Sequence, residues 1–184
     1  MKIALLTDTH FGARNDNLNF NDYFYDFYEG LFFPYLQQNN IKHCIHLGDL
    51  MDRRKYVSYR ILKDFRERFI QPFNYLKINL HILVGNHDIY FRNTNDINSL
   101  NELLGQRHDN IHLYPEAQEV DFDGFPILMM PWINPQNEIY SFGMMDETKA
   151  DTMMSHLEVV GFEMHGGHTS ESGFDKEQFK KFDT

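Results

Sequence analysis

The feature that most constrains this chain is a pattern used three times: a short apolar run, an abrupt stop, then a cluster of Asp, His and Asn. Lys2 to Thr7 leads into Asp8-Thr9-His10. His43 to Leu47 leads into Gly48-Asp49-Leu50-Met51-Asp52-Arg53, and Leu80 to Val84 into Gly85-Asn86-His87-Asp88. Brief apolar runs closed by turn residues read as buried strands. Two helical stretches separate them. The first carries Phe20, Phe24, Phe27, Tyr28, Leu31 and Tyr35 at helical spacing, and Pro34 is expected to kink or end it. The second, Tyr59 to Phe73, places Ile61, Leu62, Phe65, Phe69 and Phe73 on one side. Strand, helix and strand in alternation imply right-handed crossovers and a largely parallel sheet.

A change of style follows. Ile111 to Tyr114, Glu119 to Phe122 and Pro126 to Met130 predict short strands, the last two joined at Asp123-Gly124, a hairpin signal. Ser99 to Leu104 reads as a short helix. Pro135 to Ala150 is ambiguous between helix and loop. Met153 to Val159 reads as a strand and Asp175 to Phe182 as a helix.

Composition narrows the class. The 184 residues are 42% apolar and 15% aromatic, which fits a folded domain with a large core. One cysteine, Cys44, excludes a disulfide framework or a zinc module of paired cysteines, and it fits a reducing, cytoplasmic location. Cys44 and Met129, Met130, Met144, Met145, Met153 and Met154 are expected in the core. No apolar stretch approaches the length of a membrane span, and the first residues read as a strand, not a leader. The net charge of −10 argues against nucleic acid, yet residues 53–68 hold seven basic against two acidic side chains. That stretch is either a solvated helix face or a phosphate-attracting patch on an acidic body.

In an open α/β sheet, ligands bind beyond the carboxyl ends of the strands, so the three polar clusters converge on one edge, where a later strand adds His156. Each cluster alone has an ordinary reading: a capped turn for Asp8-x-His10, a loop for residues 85–88, a helix start for residues 48–53. Together they form an oxygen and nitrogen donor set without sulfur, suited to manganese, iron or zinc. A shared carboxylate is able to bridge two such ions for in-line displacement at phosphorus. The other histidines, His43, His46, His81, His108 and His112, are expected to be packed or surface residues.

These residues, in this order, resemble the calcineurin-like metallophosphoesterases, whose pattern is D-x-H, G-D-x-x-D-R, G-N-H-D/E, a lone His and then G-H-x-H. Within that family the chain looks most like the SbcD-type DNA repair nucleases and the tailed-phage recombination endonuclease subunits. Val120 to Gly124 leading to Met130-Pro131-Trp132, His156 to Gly161, and the compact spacing carry that part of the resemblance. It implies a four-layer α/β/β/α sandwich over residues 1–184 and two divalent ions, with manganese favoured over iron, zinc or magnesium. Asp8 and His10 would hold one ion and Asn86 and His156 the other, with Asp49 bridging. His87 would act on the scissile phosphate without binding metal, and Asp88 would orient it. Arg53, Arg54, Lys55 and Arg60 would face the DNA backbone, Arg53 mainly anchoring its own loop.

The G-H-x-H element is missing from the sequence, so the domain is expected to be incomplete at its C-terminal end; His165 and His168 are weaker substitutes. A missing edge strand would leave the chain prone to homodimerise. Implied partners are DNA and an SbcC-type coiled-coil ATPase, in the host cytoplasm for a phage protein. The function expected is metal-dependent hydrolysis of DNA. The alternatives are a phosphatase or small-molecule phosphodiesterase of the same superfamily, and a non-catalytic domain that binds DNA or a partner.

Overall fold

A computed structural model describes residues 1–105, 108–163, 167 and 169–183. The apolar runs become β1 (Ile3–Leu6), β2 (His43–His46) and β3 (Asn79–Leu83). With β4 (Ile111–Tyr114) they form one sheet in the order β1-β2-β3-β4, parallel throughout. The sequence pattern grouped β4 with the later strands. The structure instead hydrogen-bonds it to β3, in the register Leu80↔Ile111.

A second sheet holds β5 (Gln118–Phe122), β6 (Phe125–Met130) and β7 (Thr152–Ser155). Phe122 pairs with Phe125 across Asp123 and Gly124, both at positive φ (54° and 88°), the backbone that a two-residue hairpin turn requires. The strand expected at Met153 to Val159 is shorter, because the chain leaves β6 after Ser155 and turns toward the first sheet.

Three apolar cores separate four layers. One lies between the first sheet and two long helices, around Tyr25, Phe65, Phe69 and Phe73. A thinner one lies between the sheets, around Ile45, Leu83, Phe122 and Met129. The third lies between the second sheet and a helix, around Leu128, Met130 and Met145. The architecture is the α/β/β/α sandwich that the resemblance implies.

The long helices are α1 (residues 18–38) and α2 (residues 59–76). Each contains a π-helical turn, at Tyr28–Phe32 and Phe65–Ile70, shortly before Pro34 and Pro72. Pro34 therefore does not end α1. The wider turn makes room for the proline ring, and the helix continues to Gln38. The π-turn also explains the four-residue spacing of Ile61, Phe65, Phe69 and Phe73, all buried. On a pure α-helix that spacing drifts by about 40° per step, and a turn that spends more residues removes the drift.

In α1 the expected stripe is displaced by one position. Tyr25, Tyr28, Phe32 and Leu36 are buried, while Phe27, Leu31 and Tyr35 are exposed. This helix is aromatic almost all round, so hydrophobicity alone does not select a face.

Ser99–Leu104 forms α3 as expected, and Glu138–Glu147 forms α4 in the ambiguous region. Only a short 3₁₀ turn, Lys176–Phe179, forms where the last helix was expected, with the Asp175 carboxylate accepting from the Glu177 N–H at 2.9 Å. Among the described residues, no helix is long and apolar enough to cross a membrane.

Candidate metal centre

The site is assembled at the carboxyl ends of β1, β2 and β3, where backbone hydrogen bonds lock the first two loops together. The Asp8 N–H donates to Gly48 O (3.1 Å), the His10 N–H to Asp49 O (3.1 Å) and the Phe11 N–H to Leu50 O (2.9 Å). Asp8, His10 and Asp49 all adopt positive φ, between 42° and 55°. Left-handed backbone is costly for residues with a Cβ, and here three candidate ligands adopt it so that their side chains share one rim. Gly48, at φ 107°, abuts the imidazole of His156: a Cβ there would lie 2.8 Å from its Nδ1. A Cβ on Gly85 would lie 2.2 Å from the Asp49 amide nitrogen. The rim closes only because both positions are glycine.

Asp49 is the hub. Its side chain is only 5% exposed. Oδ1 accepts the His87 backbone N–H at 2.7 Å and lies 3.5 Å from His156 Nε2; Oδ2 lies 3.6 Å from His10 Nε2. Two compact donor groups share it, Asp8–Asp49–His156 and His10–Asp49–His87. His10 Nε2 also lies 3.5 Å from Asp8 Oδ1, which joins the two groups. Asn86 enters through its Oδ1, 2.9 Å from His156 Nε2. The structure thus gathers Asp8, His10, Asp49, Asn86 and His156 from four loops at one edge; all but His10 line a cleft of about 480 Å³ that Trp132 also lines.

Hydrogen bonding sets the polarity of these donors. His156 Nδ1 is 2.9 Å from the Leu47 carbonyl, so it must donate there. In neutral His156, Nε2 then presents a lone pair toward Asn86 Oδ1 and Asp49 Oδ1. Lone pairs converging on one point without a proton call for a cation. His10 Nδ1 is likewise buried, without a hydrogen-bond partner among the described residues. The residues therefore fit divalent ions bound through oxygen and nitrogen.

Charge follows the same plan. The His10 imidazole beside it holds Asp8 at a pKa of about 2, although partial burial opposes this. Asp8, and then the charges of Asp49 and Asp52, raise the pKa of His10.

His87 lies nearer this set than the sequence suggests. Its ring meets His10 edge-on, with centroids 4.9 Å apart, and it belongs to the second donor group. Its Nδ1 is 2.8 Å from the Asp52 backbone carbonyl, which orients it and leaves Nε2 facing the rim. This corrects the role expected of Asp88. That carboxylate is fully buried and accepts from the N–H groups of Gly85 (3.0 Å), Leu50 (3.2 Å) and Met51 (3.1 Å) and from the Ser99 hydroxyl (3.1 Å). It ties the second and third loops to α3; it does not orient His87. Burial raises its pKa, against the pull of those backbone donors.

The basic stretch is also rearranged. Arg53 pairs with Asp16 (3.1 Å), Arg60 with Asp64 (2.8 Å), and Arg68 with Glu29 (2.6 Å) and Asp22 (2.9 Å). Arg53 thus ties its loop to the one after β1, while Arg60 is committed within α2 and is not brought to the rim. Arg54 and Lys55 line a separate cavity beside the second loop. The His165 and His168 alternative lies outside the described residues.

One supporting residue escaped the sequence reading. His46 is fully buried; it accepts the Gly48 N–H through Nδ1 (3.2 Å) and contacts the Thr9 hydroxyl through Nε2 (3.0 Å). Nε2 therefore carries the proton, and burial lowers the pKa to about 3. Its position just ahead of Gly48 was the only signal available.

The family model described as calcineurin-like phosphoesterase matches residues 1–183. The chain belongs to that family. Exonuclease subunit 1 of Enterobacteria phage T4 is 30% identical to it over 170 residues, covering 92% of this chain. The chain spans 49% of that relative's length.

Solved structures that the chain matches include a protein of unknown function, AQ665, from Aquifex aeolicus, at 18% identity and TM-score 0.40, covering 90% of this chain and 82% of that one. Another is an archaeal phosphodiesterase at 17% identity and TM-score 0.46, covering 90% of this chain and 79% of that one. As a calcineurin-like phosphoesterase, the chain has the hydrolase family that its three loops foreshadow.

Proposed function

We propose that this calcineurin-like phosphoesterase hydrolyses phosphodiester bonds in DNA with two divalent ions, manganese being the favoured metal. The observation that carries the proposal is the buried Asp49 carboxylate, whose two oxygens face His10 at 3.6 Å and His156 at 3.5 Å. Its similarity to a phage exonuclease subunit supports nucleic acid as substrate and a partner subunit in the working assembly. For that partner we favour a coiled-coil ATPase of the SbcC type, acting with residues 1–184 as the nuclease domain in the cytoplasm.

Asp8, His10, Asp49, Asn86 and His156 would hold the ions, which when bound polarise the phosphate and activate water. The chain's residues do the rest. Asp49 is fixed by the His87 N–H, so it cannot swing away as charge builds on phosphorus. Its hydrogen bond to the Asp52 carbonyl aims His87. With both ring nitrogens protonated, His87 gives its Nε2 proton to the departing oxygen as water adds to phosphorus and the P–O ester bond breaks. Trp132, 6.1 Å from His156 between ring centroids, shields that side of the cleft.

The test is hydrolysis of single- and double-stranded DNA beside bis-nitrophenyl phosphate, with manganese and after chelation. Metal-dependent cleavage of DNA supports the proposal. Turnover of the small ester alone would assign a small-molecule phosphodiesterase, and metal binding without turnover a non-catalytic role.

A further inference from the structure

A second cavity lies between the loop around residues 51–57 and the segment that follows Asp88. Its volume is about 180 Å³, and Met51, Val57, Ile97 and Leu103 give it an apolar floor. That is room for a flat ring system and too little for a drug-sized ligand. Tyr56 and Tyr90 stand at its wall with exposed rings. Lys55 Nζ lies 5.4 Å from the centre of the Tyr90 ring, and the Arg53 guanidinium 5.0 Å from that of Tyr56.

The cavity also contains an unmatched cation. Arg54 Nη1 is buried and, among the described residues, has no hydrogen-bond partner. Burial and the nearby positive charge of Arg92 both disfavour its charged form, with only Asp49 opposing them. A buried guanidinium N–H left without a partner, beside other basic side chains, is a donor that an anion would satisfy. Among the lining residues Glu102 is the single acid, against Arg53, Arg54 and Lys55. An apolar slot for a ring, aromatic walls and an adjoining anion site make up the chemistry of one nucleotide.

We infer that this cavity takes one unstacked nucleotide of the substrate strand beside the scissile phosphate, with its base between Tyr56 and Tyr90 and its phosphate on Arg54. The inference deepens the nuclease reading and rests on it for the identity of the strand. It gives the enzyme a preference for frayed ends, flaps or single strands, because a base paired within a duplex cannot enter the slot without leaving its stack.

Binding of a fluorescent, phosphorothioate-protected single-stranded oligodeoxynucleotide, followed by anisotropy with manganese present, tests this apart from catalysis. A matched oligonucleotide lacking its bases should bind about tenfold more weakly. Arg54→Gln should weaken both strands. Tyr90→Ala should weaken the base-bearing strand about tenfold and leave the abasic one unchanged, while bis-nitrophenyl phosphate, having no base, should be turned over as before. Equal affinity for the two strands, or loss of small-ester turnover in step with strand affinity, would overturn the subsite. So would a Tyr90→Ala variant that changes oligomeric state in sedimentation without changing strand affinity, since the face would then be a protein contact. The predicted binding pattern without DNA cleavage would retain the subsite and reject the nuclease.

Discussion

Asp49 and Asp88 are carboxylates of one rim with opposite duties, and substitution should separate them. Asp49→Asn keeps the volume and the acceptor for the His87 N–H but removes the charge shared by the two donor groups. Manganese binding, measured by calorimetry, should weaken by at least an order of magnitude while the melting temperature holds. Asp88→Ala should do the reverse in kind: it strands three buried N–H donors and should cost about 3 kcal/mol or more in urea unfolding. His87→Ala tests the placement of its ring against His10. Retained metal with lost hydrolysis fits a proton donor, whereas lost metal would make His87 a ligand. Most members of this rim were legible in the sequence, because each strand stops at a glycine or aspartate and the polar cluster follows directly. The duty of Asp88 was not legible, because the partners of a carboxylate depend on which amides the fold turns toward it.

The two long helices share one device, a widened turn placed just ahead of a proline. A π-turn behaves as an α-helix with one residue inserted. Deleting the exposed Gly30 together with Pro34→Ala should therefore be tolerated, whereas inserting a residue at the same point should lower the melting temperature by several degrees. Phe69 stands where both helices and Phe11 meet; Phe69→Ala should cost about 3–5 kcal/mol, read from the denaturant midpoint. The period and partners of α2 were readable from its four-residue spacing. In α1 the aromatic residues surround the helix, so the buried side is chosen by packing against α2 and not by the pattern.

Across the whole molecule the thin core between the sheets responds to acid. His81 is buried there, stacked on His112 with ring centroids 4.7 Å apart, in contact with His43 (3.3 Å), and bonded to the Tyr114 hydroxyl at 2.8 Å. Burial, with His112 and His43 adding to it, lowers its pKa to about 3. The unfolded chain takes up this proton first, near pH 6.5, so the contribution of His81 is full above that value and falls as the pH drops toward 3. The loss is about 1.4 kcal/mol per pH unit. His46 adds a second loss of the same sign. Between pH 7.5 and pH 5 the urea midpoint of wild type should fall more than that of His81→Phe; an equal fall in both would show that His81 does not set the acid response. The layer order followed from the alternation of strands and helices, but a stack of three histidines between the sheets leaves no trace in the spacing of residues far apart in the chain.

His156 reaches the rim from the far sheet and is held there by a carbonyl of the near one, that of Leu47. Chemistry at this rim is thus conditional on the seam between two independently hydrogen-bonded halves staying shut. Warming or dilute denaturant that loosens the smaller half should silence the enzyme while the helices still give their full circular dichroism, so that turnover serves as an early gauge of that seam.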